Sequence, residues 1–204
     1  MNFNLWIDSL TKPIPTFKKE KKKANLGEGA LHMAVAGLIT GFITGLYEMF
    51  FGSIFASQFL PIASPLAGPM IFLASLIITP IIAVIWWLIV SGILYIFALL
   101  LGGKGSYATQ SYLYAIYSAP LGIISSILLL IPLAGWLLSF ILMIYGLYLL
   151  TMALKEAHNY TSGRALLTWL VPVGIVVIIL VVLVGLAFMY FMGAFVGGPV
   201  AGMI

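Results

Sequence analysis

The sequence predicts an all-α protein that crosses a membrane with five helices, and three observations support this fold class. The chain of 204 residues contains 9 lysines and arginines and 5 acidic residues, and 63% of it is hydrophobic. A soluble domain has about a quarter of its residues charged. Five apolar segments follow one another, and most of them can cross about 30 Å of hydrocarbon as helices. Every basic residue falls in a segment that five crossings would place on one side.

Residues 1–28 form a basic segment ahead of the first apolar span. Apolar residues recur there at helical spacing, and they are Phe3, Trp6, Ile7 and Leu10. A helix of about two turns would therefore present one apolar face before Pro13 ends it. Two interpretations stay open, a short helix lying on the membrane surface or a disordered, solvated tail. The adjacent lysines would add about 1 kcal/mol of attraction per charge near an anionic leaflet.

The five spans are predicted at about residues 29–55, 69–101, 106–130, 133–156 and 164–192, which together form the transmembrane domain 29–192. The loops between them are short, so neighbouring helices should pack as antiparallel hairpins. The second span would be about 50 Å long as one straight helix. It must therefore tilt, protrude or bend at Pro80. Whether Pro80 breaks this span into two helices is left open by the sequence.

Charge placement predicts the orientation of the chain. If the spans alternate in direction, residues 1–28, the turn Gly102–Ser106 and the loop 155–164 share one side, which holds every lysine and arginine. The opposite loops and the glycine-rich C-terminal tail 193–204 hold none. Basic loops stay in the cytoplasm. We therefore expect a cytoplasmic N-terminus and a C-terminus outside, since four or six crossings would split the basic set.

Glu48 is the one charged residue that the predicted spans place well inside the membrane. A charged group near the bilayer centre costs about 2.5–3.5 kcal/mol on insertion scales. Thr40 and Thr44 share its helix stripe at four-residue spacing, and no basic residue inside the membrane pairs with it. One interpretation is a proton or cation site formed by these three residues. The alternative is a hydrogen-bonded packing residue, or one close enough to the outer interface to reach water.

Three glycines run beside that stripe in the first span. Gly37, Gly41 and Gly45 recur every four residues, a spacing that lets another helix approach closely. The series predicts a helix-packing face, and we expect that it could also support a homodimer.

The sequence carries no pattern typical of a catalytic or metal centre. Cysteine is absent, which excludes disulfides and thiolate chemistry. His32 and Glu48 lie sixteen residues apart on one helix, about 24 Å, which is too far for joint acid–base work. We therefore expect no enzyme activity, no metal and no cofactor. The basic residues are confined to short segments, so nucleic acid is not an expected partner.

Several stretches of the central and C-terminal two-thirds together form a recognisable series. They are the turn Gly102–Ser106, the helix Tyr112–Pro120, the pair Ile131-Pro132, and the run Ala157–Leu166 followed by Pro172. In this order and spacing they resemble the Yip1 domain family of five-span membrane proteins. Within them the positions that carry the resemblance are Gly102, Gly103, Tyr117, Pro120, His158, Arg164 and Pro172.

The resemblance implies a membrane protein related to trafficking or membrane organisation. Eukaryotic members of the family act in early secretory traffic and bind Rab GTPases through their cytoplasmic face. This chain lacks the Asp-Leu-Trp/Tyr-Gly-Pro and Gly-Tyr-Lys signatures of those members. Rab binding is therefore not expected, and the short loops resemble those of a prokaryotic plasma-membrane protein.

Together these observations favour a non-enzymatic membrane scaffold with a basic cytoplasmic face. That face would consist of Lys18, Lys19, Lys21, Lys22, Lys23, Lys104, Lys155 and Arg164. Its expected partners are the bilayer, anionic lipids at the cytoplasmic surface, a protein that the sequence does not name, and a second copy of the chain. The alternative is a small channel or transporter for protons or cations that uses Glu48 and the neighbouring hydroxyls.

Overall fold

The computed structural model describes residues 3–52, 67–131 and 133–196, and this part of the chain is almost entirely helical. The seven α-helices are α1 (Phe3–Thr11), α2 (Pro13–Glu20), α3 (Leu26–Tyr47), α4 (Ala67–Leu100), α5 (Tyr107–Leu128), α6 (Ala134–His158) and α7 (Ser162–Val196). A 3₁₀ turn at Lys21–Lys23 follows α2, and a π-helical turn at Glu48–Gly52 follows α3. Helices α3 to α7 are each long and apolar enough to cross a membrane. The predicted all-α class with five spans is confirmed.

The long second span is one helix. Helix α4 has 34 residues and continues through Pro80. Pro120 and Pro172 likewise lie inside α5 and α7. The loop predicted between the first two spans and the predicted tail 193–204 fall mostly outside the described residues.

The ends of the helices follow from capping residues. The Asn25 side chain accepts hydrogen bonds from the backbone N–H of Gly27 and of Glu28, which satisfies donors at the start of α3. Ser106 caps α5 in the same way, because its hydroxyl accepts from the Thr109 N–H at 3.1 Å. Asn159 ends α6 in the left-handed conformation, with φ of 54°.

The glycine series of the first span packs against α4 of the same chain. A Cβ added to Gly37 would lie 2.5 Å from the Pro80 Cα, and one added to Gly41 would lie 2.5 Å from the Ser75 carbonyl oxygen. The Ser75 hydroxyl donates to the Gly41 carbonyl at 2.9 Å, and Gly45 also faces Ser75. This face is therefore filled within the protomer, and the homodimer expected from it would have to use another surface.

Helix α5 lies at the centre of the bundle and contacts α1, α3, α4 and α6. Its side chains Tyr112, Leu113, Ile116 and Tyr117 form one apolar cluster with Phe17 from α2 and with α6. Helix α7 differs, because it packs chiefly on α4 and α6 near its start and every residue from 175 to 193 is exposed. Lipid must cover this part of α7 within a single protomer.

The N-terminal segment packs onto the bundle as two short helices. Trp6 and Ser9 of α1 are buried, and the Ser9 hydroxyl lies 2.9 Å from the Ile116 carbonyl of α5. Phe17 of α2 is completely buried against α5 and α6. The Tyr145 hydroxyl of α6 donates to the Leu10 carbonyl at the end of α1. Side chains from both helices therefore anchor the segment to the bundle.

Candidate functional site

Eight of the nine basic residues lie at one end of the bundle, which we call the basic end. They are Lys18, Lys19, Lys21, Lys22, Lys23, Lys104, Lys155 and Arg164. The α4–α5 turn and the end of α6 meet there, since the Lys104 N–H donates to the His158 carbonyl at 3.3 Å. The basic residues thus come together from the N-terminal segment and from two turns that are far apart in the sequence.

A buried histidine joins these turns. The Nδ1 atom of His158 accepts from the Gly105 N–H at 3.1 Å, so the proton of a neutral ring lies on Nε2. The Nε2 atom then donates to the side-chain oxygen Oε1 of Gln110 at 2.7 Å. The Gln110 amide nitrogen donates in turn to the Ser91 carbonyl at 2.8 Å. We call His158, Gln110 and the glycine turn the histidine junction, which ties α4, α5 and α6 together.

The glycines of the turn are explained by its close approach to α6. A Cβ on Gly103 would lie 2.6 Å from the His158 Nδ1 atom, and one on Gly105 would overlap the Ala157 carbonyl. Gly102 adopts a φ of 81°, which glycine tolerates best. The resemblance singled out Gly102, Gly103 and His158. The structure packs the His158 ring against the turn that contains both glycines.

The remaining family positions have separate surroundings. Tyr117 and Pro120 are buried on α5 in the centre of the bundle. Arg164 lies at the start of α7 and its Nη1 atom approaches Gly102, 3.4 Å from the place that a Cβ would occupy. Pro172 lines an apolar groove further along α7. These positions therefore lie in separate parts of the bundle and do not form one cluster.

Tyr160 supports the histidine junction from the α6–α7 turn. Its ring stacks on the His158 ring with centroids 5.3 Å apart and planes 11° from parallel. The Thr168 hydroxyl donates to the Arg164 carbonyl, so the Tyr160 hydroxyl donates to the Thr168 oxygen at 2.7 Å. Burial raises the pKa of Tyr160, and the hydrogen bond with Thr168 offsets part of that rise. The phenol stays protonated and holds the turn on α7.

Lys21 fastens the N-terminal segment to the end of α6. Its Nζ atom donates to the Glu156 carbonyl at 2.7 Å and to the side-chain oxygen of Asn159. A cation at a helix C-terminus also interacts favourably with the helix dipole. Lys21 is therefore a fixed contact within the basic face. Sequence reasoning did not distinguish it from the other lysines, because its partner Glu156 is 135 residues away and leaves no local pattern.

Replacing Lys21 by methionine should loosen the N-terminal segment. The variant keeps the apolar stem but loses both hydrogen bonds, which we expect to cost about 1 kcal/mol because the group is partly exposed to solvent. Hydrogen exchange of the α2 amides in detergent micelles should become about fivefold faster. Lys22→Met is the matched control, since Lys22 is exposed and its side chain has no hydrogen-bond partner among the described residues. Equal exchange in both variants would contradict the role assigned to Lys21.

Five of the six lysines of the N-terminal segment surround an open recess. This lysine recess is lined by Pro15, Lys18, Lys19, Lys21, Lys22, Lys23 and Glu156. Lys18, Lys19 and Lys22 are exposed, and Lys23 lies 4.0 Å from the Glu20 carboxylate. A pair of that length at the surface contributes little. The recess therefore presents a largely uncompensated positive charge.

A second recess at the basic end lies between the two turns. This loop recess is lined by Gly102, Lys104, Lys155, Asn159, Tyr160, Thr161, Ser162 and Arg164. Lys104 and Arg164 are exposed, and Lys155 is half-buried. The sequence predicted that these three residues share a side of the membrane, and the structure places them around one opening.

A polar cleft of about 370 Å³ lies between the N-terminal segment and the bundle. The Trp6 indole N–H donates to the His32 Nδ1 atom at 2.8 Å, and the Tyr112 hydroxyl donates to Glu20 at 3.1 Å. Sequence reasoning did not find these contacts, because the partners are 26 and 92 residues apart. Among the described residues, no group of three or more histidines and carboxylates is placed to hold a metal ion.

Glu48 lies at the end of α3 that is remote from the basic end. It begins the π-helical turn and is exposed. The Thr44 hydroxyl donates to the Thr40 carbonyl at 2.9 Å within its own helix. Glu48 therefore does not point into the bundle interior, and a proton or cation site formed with these threonines stays a prediction.

Comparison with protein families identifies the chain. The Yip1 domain matches residues 7–185, a range that includes α3 to α6 and most of α7. No curated protein and no solved structure matches the chain. The match also covers part of α1 and all of α2, so it includes the docked N-terminal segment. The chain therefore belongs to the Yip1 domain family of multi-pass, non-enzymatic membrane proteins.

Proposed function

We propose that the protein is a non-enzymatic membrane scaffold whose basic end faces the cytoplasm and attracts anionic lipid. The observation that carries this proposal is the collection of eight of the nine basic residues at one end of the bundle. The positive-inside rule then favours a cytoplasmic N-terminus and a C-terminus outside. The short loops suit a prokaryotic plasma membrane, which we propose as the location.

The N-terminal segment can present its charges in a fixed arrangement. Phe17 and Lys21 hold α2 and the following turn on the bundle, while Lys18, Lys19 and Lys22 remain exposed. An ordered array loses less conformational freedom on contact with a surface than a disordered tail does. Each exposed lysine should add about 1 kcal/mol of attraction to an anionic surface, and salt should weaken it.

The polar groups of the bundle support a structural role. The imidazole nitrogens of His158 are both engaged, and so is the Nδ1 atom of His32. These bonds join separate helices, which is what a scaffold requires. A role in organising the membrane or in trafficking fits the family and the basic face.

Association of the reconstituted protein with vesicles tests the proposal. The full chain in phosphatidylcholine nanodiscs should bind phosphatidylglycerol vesicles and ignore phosphatidylcholine vesicles, and salt should reverse the binding. Changing Lys18, Lys19 and Lys22 together to glutamine should weaken binding at least tenfold. The matched control changes the same residues to arginine, which keeps the charge and should keep the binding. Binding that ignores lipid charge and salt would defeat the proposal.

A further inference from the structure

We propose that the protein holds one anionic phospholipid at a discrete site between α4, α6 and α7. The phosphate lies in the loop recess, and an acyl chain lies in an apolar groove on the same helices. The inference deepens the proposed function and rests on it, because it assigns a defined lipid position to part of the basic face.

The loop recess has the chemistry of a phosphate site. Its charged side chains are Lys104, Lys155 and Arg164, one from each of the three chain segments that meet there. No carboxylate in the described chain lies within ion-pair distance of any of them. Glu156 faces the lysine recess instead. Three uncompensated cations around an opening at the membrane surface call for an anion, and basic pockets between transmembrane helices take lipid headgroups.

The arginine of this recess extends toward the α4–α5 turn. The Arg164 Nη1 atom lies next to Gly102, so the side chain reaches from α7 across to the end of α4. Its backbone carbonyl accepts from Thr168, which is bonded to Tyr160, so the start of α7 that carries the arginine is held in place. The exposed planar guanidinium can offer two parallel donors to a phosphate.

The apolar groove lies further from the basic end on α4, α6 and α7. It has a volume of about 390 Å³, and its walls include Trp86, Leu94, Leu147, Trp169 and Val177. The Trp169 indole N–H donates to the Thr151 hydroxyl at 2.9 Å, which fixes the ring against α6. From Trp169 to Val177 the groove extends about 12 Å along α7. Acyl chains are the apolar groups that surround such a groove in a bilayer.

The spacing of the two parts fits a single lipid molecule. On α7, Trp169 follows Arg164 by five residues, and on α6 Leu150 precedes Lys155 by five residues. Five helical residues correspond to about 7.5 Å along each helix axis. The headgroup region on each side of a bilayer is about 5–7 Å thick. The offset between cations and groove therefore matches the distance between phosphate and acyl chains.

Charge favours a lipid over a protein helix as the occupant. A transmembrane helix of a second copy would cover the groove, but it would bring no anion to the loop recess, because the basic end of this chain carries the excess of positive charge. An anionic phospholipid supplies the apolar chain and the counter-charge together. It is also present in the surroundings of the groove at high concentration.

Quenching of tryptophan fluorescence by brominated lipid tests the inference. The full chain is reconstituted in phosphatidylcholine vesicles that contain increasing proportions of phosphatidylglycerol brominated in its acyl chains, or of phosphatidylcholine brominated likewise. The Trp169 signal is the difference in fluorescence between the protein and the Trp169→Phe variant. Brominated phosphatidylglycerol should quench this signal at about a tenfold lower mole fraction than brominated phosphatidylcholine does. Changing Lys104, Lys155 and Arg164 together to glutamine should abolish that preference.

The charge-matched control changes Lys18, Lys19 and Lys22 to glutamine and should keep the quenching preference while weakening vesicle association. Equal loss of the preference in both triple variants would overturn the discrete site but leave the proposed function standing. Quenching of Trp169 by neither lipid would show a protein occupant and would also overturn the site. Vesicle association indifferent to lipid charge, with the Trp169 preference retained, would defeat the proposed function alone.

Discussion

The Gly41→Leu variant is expected to lose about 3 kcal/mol of unfolding free energy, at the upper end of the range for overpacked cores. A Cβ at this position would lie 2.5 Å from the Ser75 carbonyl oxygen and 3.0 Å from the Thr79 Cβ. The first of these atoms is backbone and cannot rotate away. The helices must therefore separate, which also breaks the hydrogen bond from the Ser75 hydroxyl to the Gly41 carbonyl. Reversible unfolding in mixed micelles, followed by circular dichroism, measures the loss.

Gly122→Leu is the matched control for this variant. Gly122 lies within α5 and is exposed, and a Cβ added there would meet no atom of another described helix within 4 Å. Its replacement should leave the unfolding free energy unchanged or raise it by up to about 1 kcal/mol, because glycine is a poor helix former. Comparable losses in the two variants would show that α3 and α4 are not held by close approach.

The His158→Ala variant should be the second severe one, with a loss of about 3 kcal/mol or more. Removal of the ring leaves the Gly105 N–H and the side-chain oxygen of Gln110 without their partner, and each buried unsatisfied group costs about 1–3 kcal/mol. The side chain is 1% exposed, so a cavity also forms. The same micelle unfolding experiment gives the magnitude.

A double-mutant cycle with Gln110→Ala tests whether the junction acts as a unit. Coupled residues in one hydrogen-bond network show interaction energies of about 0.5–3 kcal/mol. We expect the double variant to lose less than the sum of the single variants, because either substitution alone already breaks the bond of 2.7 Å. Strict additivity would mean that His158 and Gln110 contribute independently and that the junction has been misassigned.

The sequence predicted the membrane spans well because the bilayer imposes a one-dimensional constraint on each of them. An apolar segment such as Ala134–His158 must be helical to satisfy its backbone in hydrocarbon, whatever its neighbours are. The continuity of α4 through Pro80 was left open, since a proline can kink a helix or break it. The structure shows one continuous helix there, and Gly37 of α3 packs directly against Pro80.

The contacts at the basic end depended on distances that no local pattern encodes. The bond between Trp6 and His32 joins residues 26 apart, and the bond between Lys21 and Glu156 joins residues 135 apart. The glycine series predicted close packing but gave no partner, so both α4 and a second copy fitted it. The polar Gln110 inside an apolar helix is a signal for the histidine junction that sequence reasoning did not use.

The exposed part of α7, which is remote from the basic end, has a mechanical consequence. The helix has 35 residues, about 52 Å of length, which exceeds the thickness of the hydrocarbon. It is anchored by its first turns, whereas residues 175–193 are all exposed. A helix that is packed only near its start can change its tilt without disturbing the rest of the bundle. A thinner or thicker bilayer can therefore be accommodated by tilting α7 while the other four spans keep their packing.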